Sequence, residues 1–381
     1  MRALAGLALA LGLLVALSSS RTTVAEDDEV VGYGHFIRFK RWSDIPLPQP
    51  HRMAPVARPT LPVLVPMRPD GWWPKAGEWS TAKVFEASEE FVIENNSSAT
   101  QEVFFDTLVY PTTSWQKTTI VSSALPVAEF FYDADGNAWL RANAGQIRPG
   151  ERRRQAIWMK VRVGKMSVAR AESLERRGDA CPPSIARFLA DQSPGESRLN
   201  CSDSPEVAQV ARSVTRGKNG NSAKARAIYQ WMRGNIRYGA TGYGSAESAL
   251  ARRKAGCGGQ ARLFVGLCRS AGVPAREING HNAYHKNGSI TSHGWAEFYV
   301  PGFGWVPVDT TTSRFASSSP WHVTKTTPSL RYRHLMCIPA GDTGATYAAP
   351  GGVVVATSEG LAPEGQWALV SLHTDISLQA K

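Results

Sequence analysis

Long apolar runs are scarce in this chain of 381 residues. Beyond position 25 no stretch is long and apolar enough to cross a membrane as a helix, so no stable span is expected in the mature protein. Clustered basic charge is missing as well. The formal charge is +11, but lysines and arginines are scattered and no nucleic-acid motif accompanies them. The densest run, Glu151-Arg152-Arg153-Arg154, follows the turn Pro149-Gly150 and reads as a solvated strand edge. That pattern excludes a nucleic-acid arm and leaves affinity for acidic surfaces such as a cell envelope. Cys-x-x-Cys and His-Glu-x-x-His spacings are absent, and His281 and His285 beside His293 do not replace them. Neither a metal nor another cofactor is therefore expected. Cysteines number five, an odd count that leaves at least one thiol out of any disulfide scheme.

What is present supports a folded, exported protein. Hydrophobic residues make up 43% and tryptophans number twelve, enough for a buried core. Arg2 followed by apolar Ala3 to Leu17 and then Ser18-Ser19-Ser20 reads as a signal peptide over 1–25, because about fifteen apolar residues span a bilayer poorly. Secretion or a periplasmic location follows from that reading. Residues 26–80 are dense in proline, from Pro46 to Pro74, and suit an extended arm or linker. Over 81–165, short Val-, Phe-, Tyr- and Ile-rich segments alternate with turns, the pattern of a β-sandwich. One such turn, Asp133 to Asn137, lacks the glycine position and closing glutamate of a calcium loop and reads as a hairpin. Residues 166–320 open with helical patterning: Pro205 to Ala211 follows Ser204, and Ala227, Ile228, Trp231, Met232 and Ile236 form a core stripe. The strand-like pieces of 321–381 are expected beside the chain's catalytic core.

The chemistry gathers after Gly256. Cys257, flanked by Gly256, Gly258 and Gly259, opens an apolar helix-like run that ends at Gly272-Val273-Pro274. A thiol at a helix start meets exposed N–H groups and the positive end of the macrodipole, which favour the thiolate. His293 begins one strand-like segment, and Asp309 ends the next, joined through Pro301-Gly302-Phe303. Folding that hairpin brings His293 and Asp309 together at its open end. Cysteine, histidine and aspartate so arranged are the parts of a thiol acyl-transfer site. Cys268 falls on the helix's apolar face as a buried small hydrophobe, Cys181 and Cys201 make a plausible disulfide, and Cys337 has no evident partner.

Three motifs, "AIYQWMRGNIRYG", "GCGGQARLFVGLCRSAGVPARE" and "HGWAEFYVPGFGWVPVDTT", stand in order between Ala227 and Thr311. This stretch resembles a transglutaminase-like domain of the exported bacterial cysteine-protease type. The resemblance implies an α+β chain with a papain-like catalytic domain, its nucleophile helix packed on an antiparallel sheet, preceded by an all-β sandwich. It implies Cys257 as nucleophile, His293 as base and Asp309 as orienting acid. Gly258, Gln260, Tyr238, Tyr243 and Trp295 are candidates for the oxyanion hole or substrate contacts. Gly294 stands where the family commonly has alanine, and Thr310 where a proline often follows the aspartate. The implied activity is amide cleavage or exchange on peptides or proteins through a thioester, with hydrolysis favoured. Glutamine-to-amine cross-linking is the alternative, and a non-catalytic exported binding protein the second.

Overall fold

A computed structural model describes residues 61–67, 77–132, 136–166, 173, 175, 181–191, 199–239, 244–283, 290–317 and 319–326, and strand segments of the tail between 334 and 378. The expected signal peptide, most of the proline-rich stretch, Tyr243 and His285 lie outside the described residues.

The first strands are β1 (Val63–Leu64), β2 (Gly77–Asn95), β3 (Gln101–Val109), β4 (Gln116–Ser123), β5 (Val127–Tyr132), β6 (Ala138–Ile147) and β7 (Arg152–Met166). A short helical stretch, Pro183–Ala186 and Arg187–Leu189, precedes four helices and two short strands. In chain order these are α1 (Pro205–Val214), α2 (Asn221–Asn235), β8 (Arg237–Tyr238), α3 (Ala246–Arg252), β9 (Lys254–Ala255) and α4 (Cys257–Ser270). Then come β10 (Ala275–Asn282), β11 (Thr291–Val300), β12 (Gly304–Val308) and β13 (His322–Thr326). The tail adds β14 (His334–Cys337), β15 (Val355–Thr357), β16 (Gly360–Leu361) and β17 (Trp367–Leu378).

Two large sheets, ordered β1-β4-β7-β2-β17 and β16-β15-β14-β3-β6-β5, face each other. Strand alternation decides which residues meet between them. On β2, Phe85, Ala87, Phe91 and Ile93 are buried while their neighbours are not, and Phe91 packs edge-on against Phe105 of β3 at 5.1 Å. β5 and β6 pair antiparallel with Tyr132 opposite Ala138, while Asp133 to Asp135 of the expected hairpin turn lie outside the described residues. Strand β4 was not foreseen because its run of glutamine, lysine, threonine and serine lacks an apolar alternation. Arg152 and Arg154 sit on β7, a central strand and not an edge, and pair across to Glu94 and Glu90 of β2.

The tail strands join this sandwich and not the catalytic sheet, contrary to expectation. β17 pairs with β2 along most of its length, and β14 pairs with β3. Among the described residues after 320, β13 alone enters the third sheet, ordered β12-β11-β10-β13. Pairing is non-local here, so sequence spacing alone could not choose the partner strand.

Helix α4 packs on that third sheet and is buried from Gly258 to Arg269. Leu263, Phe264, Val265, Leu267 and Cys268 share one core with Ala296, Phe298 and Val300 of β11, the face opposite Trp295, Glu297 and Tyr299. An all-round buried helix must satisfy its own charges. Arg262 pairs with Glu277, and Arg269 with Asp191. At Gly266 a Cβ would lie 2.1 Å from the backbone oxygen of Asn200. Backbone cannot yield as a side-chain tip can, so Gly266→Ala is expected to cost about 1–3 kcal/mol, read as a lower denaturant midpoint at unchanged m.

The expected Cys181–Cys201 disulfide is not formed. Cys201 lies in the core beneath α4, whereas Cys181 packs with Ile185, Phe188, Tyr299 and Trp305 on the other side of the sheet. Cys268 is fully buried, as its place on the helix required.

Candidate active site

The site forms where the start of α4 meets the open end of the β11–β12 hairpin. Two glycines make that approach close: a Cβ on Gly294 of β11 would stand only 3.4 Å from the Cα of Gly258. Gln260 steadies the same turn, its Nε2 donating to the Ala255 carbonyl at 3.1 Å. Cys257 itself remains partly exposed, so its sulfur can be reached from solvent.

Antiparallel register pairs Ala296 with Val308, leaving His293 and Asp309 at the hairpin's open end. There His293 Nε2 donates to Asp309 Oδ2 at 2.9 Å. An ionised carboxylate only accepts, so the proton sits on Nε2 and the nitrogen left for the thiol is Nδ1. Cys257 and His293 stand close enough to shift each other's ionisation, the thiol downward and the imidazole upward.

Asp309 is the most enclosed member. Thr311 donates to Oδ1 through its backbone N–H at 2.8 Å and its hydroxyl at 2.6 Å. Oδ2 receives His293 and, from β13, His322 Nε2 at 3.0 Å. Burial opposes the charge on Asp309, but the two imidazole hydrogen bonds outweigh it and hold the carboxyl far below the usual range. Burial also lowers the His293 pKa, yet its bonds to Asp309 and Cys257 push it up to about 9. Burial raises the Cys257 thiol; hydrogen bonds from His293 and from the Gly294 and Gly258 backbone, with the His293 charge, bring the net shift down. These directions agree with a thiolate–imidazolium pair backed by a fixed carboxylate.

The other candidates fall in different places. Gly258 contributes backbone beside the sulfur. Trp295 lies against the His293 ring, 5.9 Å between centroids, and presents its face to the edge of His322 at 5.3 Å. Gln260 is buried and donates from Nε2 to the Ala255 carbonyl. Tyr238 is 65% exposed and lines a surface cleft with Arg233, Arg237 and Arg253. His281 bonds the Tyr110 hydroxyl at 3.0 Å instead of joining His293.

His322 was missed by the sequence reading, which placed it in an unreadable tail. A lone histidine opening a short strand gives no local signal; only sheet pairing reveals it. Its strand is tied to the sandwich: Gln116 of β4 donates to the Thr324 carbonyl at 2.9 Å and accepts from the Thr324 N–H at 2.8 Å, and Lys325 pairs with buried Glu89 of β2. The groups His293, Asp309 and His322 lie within 4.8 Å of one another, close enough to raise the question of a metal. Their contacts are hydrogen-bond lengths with Asp309 as shared acceptor, which accounts for the cluster without an ion. Removing His322 takes one charged hydrogen bond from the aspartate. His322→Ala is expected to lower kcat/KM roughly ten- to a hundredfold, with His322→Gln retaining more activity because its amide can still donate. Steady-state kinetics of the two variants check this.

Residues 208–310 match the model of the Transglutaminase-like superfamily. A protein of Haemophilus influenzae (strain Rd) described as uncharacterized is 36% identical over 120 residues, which cover 24% of this chain and 32% of that protein. The match thus spans about a third of the relative's length. Among solved structures, a candidate cysteine protease from Cytophaga hutchinsonii aligns over 79% of this chain and 92% of its own, at 18% identity and a TM-score of 0.48. The periplasmic domain of TgpA from Pseudomonas aeruginosa aligns over 61% and 88%, at 15% identity and a TM-score of 0.33.

Proposed function

With a transglutaminase-like domain over residues 208–310 as premise, we propose that this protein is an exported cysteine-dependent enzyme that cleaves amide bonds of peptides or proteins. The observation that carries the reading is His293 hydrogen-bonded to Asp309 beside Cys257, whose thiol it draws downward, at the start of a buried helix. His293 Nδ1 takes the thiol proton, and the thiolate attacks the amide carbon, forming a C–S bond and a tetrahedral oxyanion. The first N–H groups of α4, which have no carbonyl within the helix to bond, are the donors nearest that oxyanion. As the intermediate collapses, the C–N bond breaks and the leaving amine carries away the His293 proton. Water then attacks the thioester with His293 as base, releasing a carboxylic acid and restoring the resting pair. An amine in place of water would give cross-linking; hydrolysis is the acceptor choice favoured by the resemblance of the three motifs.

The test needs no substrate. The reduced protein is alkylated with iodoacetamide across pH and Cys257 followed by mass spectrometry, with His293→Ala as control. The thiolate requires pH above the lowered Cys257 value, and the imidazolium requires pH below about 9. Rapid labelling is therefore expected well below the ordinary thiol range of about 8.5, lost in the His293 variant. Turnover should fall as pH rises through about 9, where His293 no longer carries the leaving group's proton. Labelling that climbs only in alkali, alike in both proteins, would remove the basis of the assignment.

A further inference from the structure

An open cleft of about 390 Å³ is lined by Arg233, Arg237, Arg253 and Tyr238 together with the chain between Arg233 and Arg237. Among the described residues no acidic side chain lines it. Two of its walls are continuous with the site. Arg237 and Tyr238 form β8, which pairs in parallel with Lys254 and Ala255 of β9, and Cys257 follows two residues later. Gly239 N–H bonds the Ala255 carbonyl, and its own carbonyl lies 3.8 Å from where a Cβ on Gly256 would stand. On the other side Arg233 reaches the carbonyl of Thr311, the residue that holds Asp309 Oδ1. The cleft thus runs from the segment before the nucleophile to the turn that fixes the acid.

Its arginines are presented in a particular way. Arg253 ends α3 in the left-handed conformation at φ 50°, a position glycine takes with less strain. That backbone and the Trp231 ring, 5.2 Å from the guanidinium, hold the side chain at the cleft. Guanidinium groups bind carboxylates in a planar two-pronged fashion, and exposed Tyr238 adds an amphipathic surface for neighbouring peptide.

We infer that this cleft binds carboxylates of an acidic polypeptide substrate, holding residues that flank the amide presented to Cys257. The inference rests on the acyl-transfer reading for the word substrate, but its test does not require turnover. Two fluorescein-labelled peptides of equal length, one with glutamates on both sides of a central glutamine and one with glutamines throughout, are titrated with the Cys257→Ala protein. Anisotropy at low salt is expected to show the acidic peptide binding about tenfold tighter or more, the gap narrowing as salt is raised. In R233Q/R237Q/R253Q the two peptides should bind within about twofold of each other. Thermal melting checks that the triple variant is folded; if it is not, Arg237→Glu alone is expected to weaken the acidic peptide selectively. Equal binding of both peptides to the Cys257→Ala protein, or an acidic preference that survives loss of the arginines, overturns the inference. So does arginine-dependent binding of sodium polyphosphate with no discrimination between the peptides, which would assign the cleft to a phosphate polymer. An inert thiol in the alkylation experiment would remove the catalytic reading and leave this binding result standing.

Discussion

Cys257→Ala is expected to abolish amide turnover, by about 10⁴-fold or more, while leaving the fold in place. Alanine deletes only the sulfur at the partly exposed start of α4 and opens no space within the core shared with β11. His293, Asp309 and His322 keep their mutual hydrogen bonds, yet no atom remains to form the thioester. Cys257→Ser should be nearly as inactive, since a hydroxyl ionises far less readily than a thiol in the same place. Release of amine or ammonia from glutamine-containing peptides is the readout. Activity within tenfold of the parent protein would mean that another group performs the chemistry.

The largest expected effect on stability lies away from the triad. Glu297→Ala should cost about 3–5 kcal/mol, because it breaks a buried ion pair by removing its carboxylate. Arg276 is fully buried and donates to Glu297 through Nε at 2.9 Å and Nη2 at 2.7 Å. Its cation lies 3.7 Å from the centre of the Trp305 ring and 5.6 Å from that of Phe188, both buried aromatics. Glu297→Gln, which still offers an acceptor, should lose less. Equilibrium urea unfolding of the three proteins distinguishes them; an alanine variant within about 1 kcal/mol of the parent would show that the site relaxes or hydrates. Glu297 and His293 share the strand β11, so part of the cost should also appear as reduced reactivity of Cys257.

The elements nearest the chemistry were legible because their signals are local. A glycine-bracketed cysteine opening an apolar run, closed by Gly272 and Pro274, marks a helix by periodicity and end residues alone. Alternation from His293 to Val300 and the turn at Pro301 to Phe303 determine a hairpin whose register allows little choice, since a one-residue slip would take Phe298 out of the core it shares with Phe264. Cys257, His293 and Asp309 could therefore be singled out from sequence, and the structure places His293 and Asp309 within hydrogen-bond distance at the start of that helix. Strand β4 was illegible for the opposite reason: its buried Gln116 and Thr118 are polar residues satisfied by hydrogen bonds to Pro111 and Thr324.

By itself, then, the sequence determined the helix, the hairpin and the three residues they carry, because each depends on neighbours within a few turns of chain. Only the tertiary structure decided what surrounds them. His322 reaches Asp309 because β13 pairs with β10 and is tied to the sandwich through Gln116 and Glu89. The tail strands choose β2 and β3 as partners over distances that no local pattern encodes. Arg233, Arg237 and Arg253 converge on one cleft only once β8 and β9 pair. In each case the deciding contact joins residues remote in sequence, and the free energy that selects it comes from burial and hydrogen bonding made available by the folded whole.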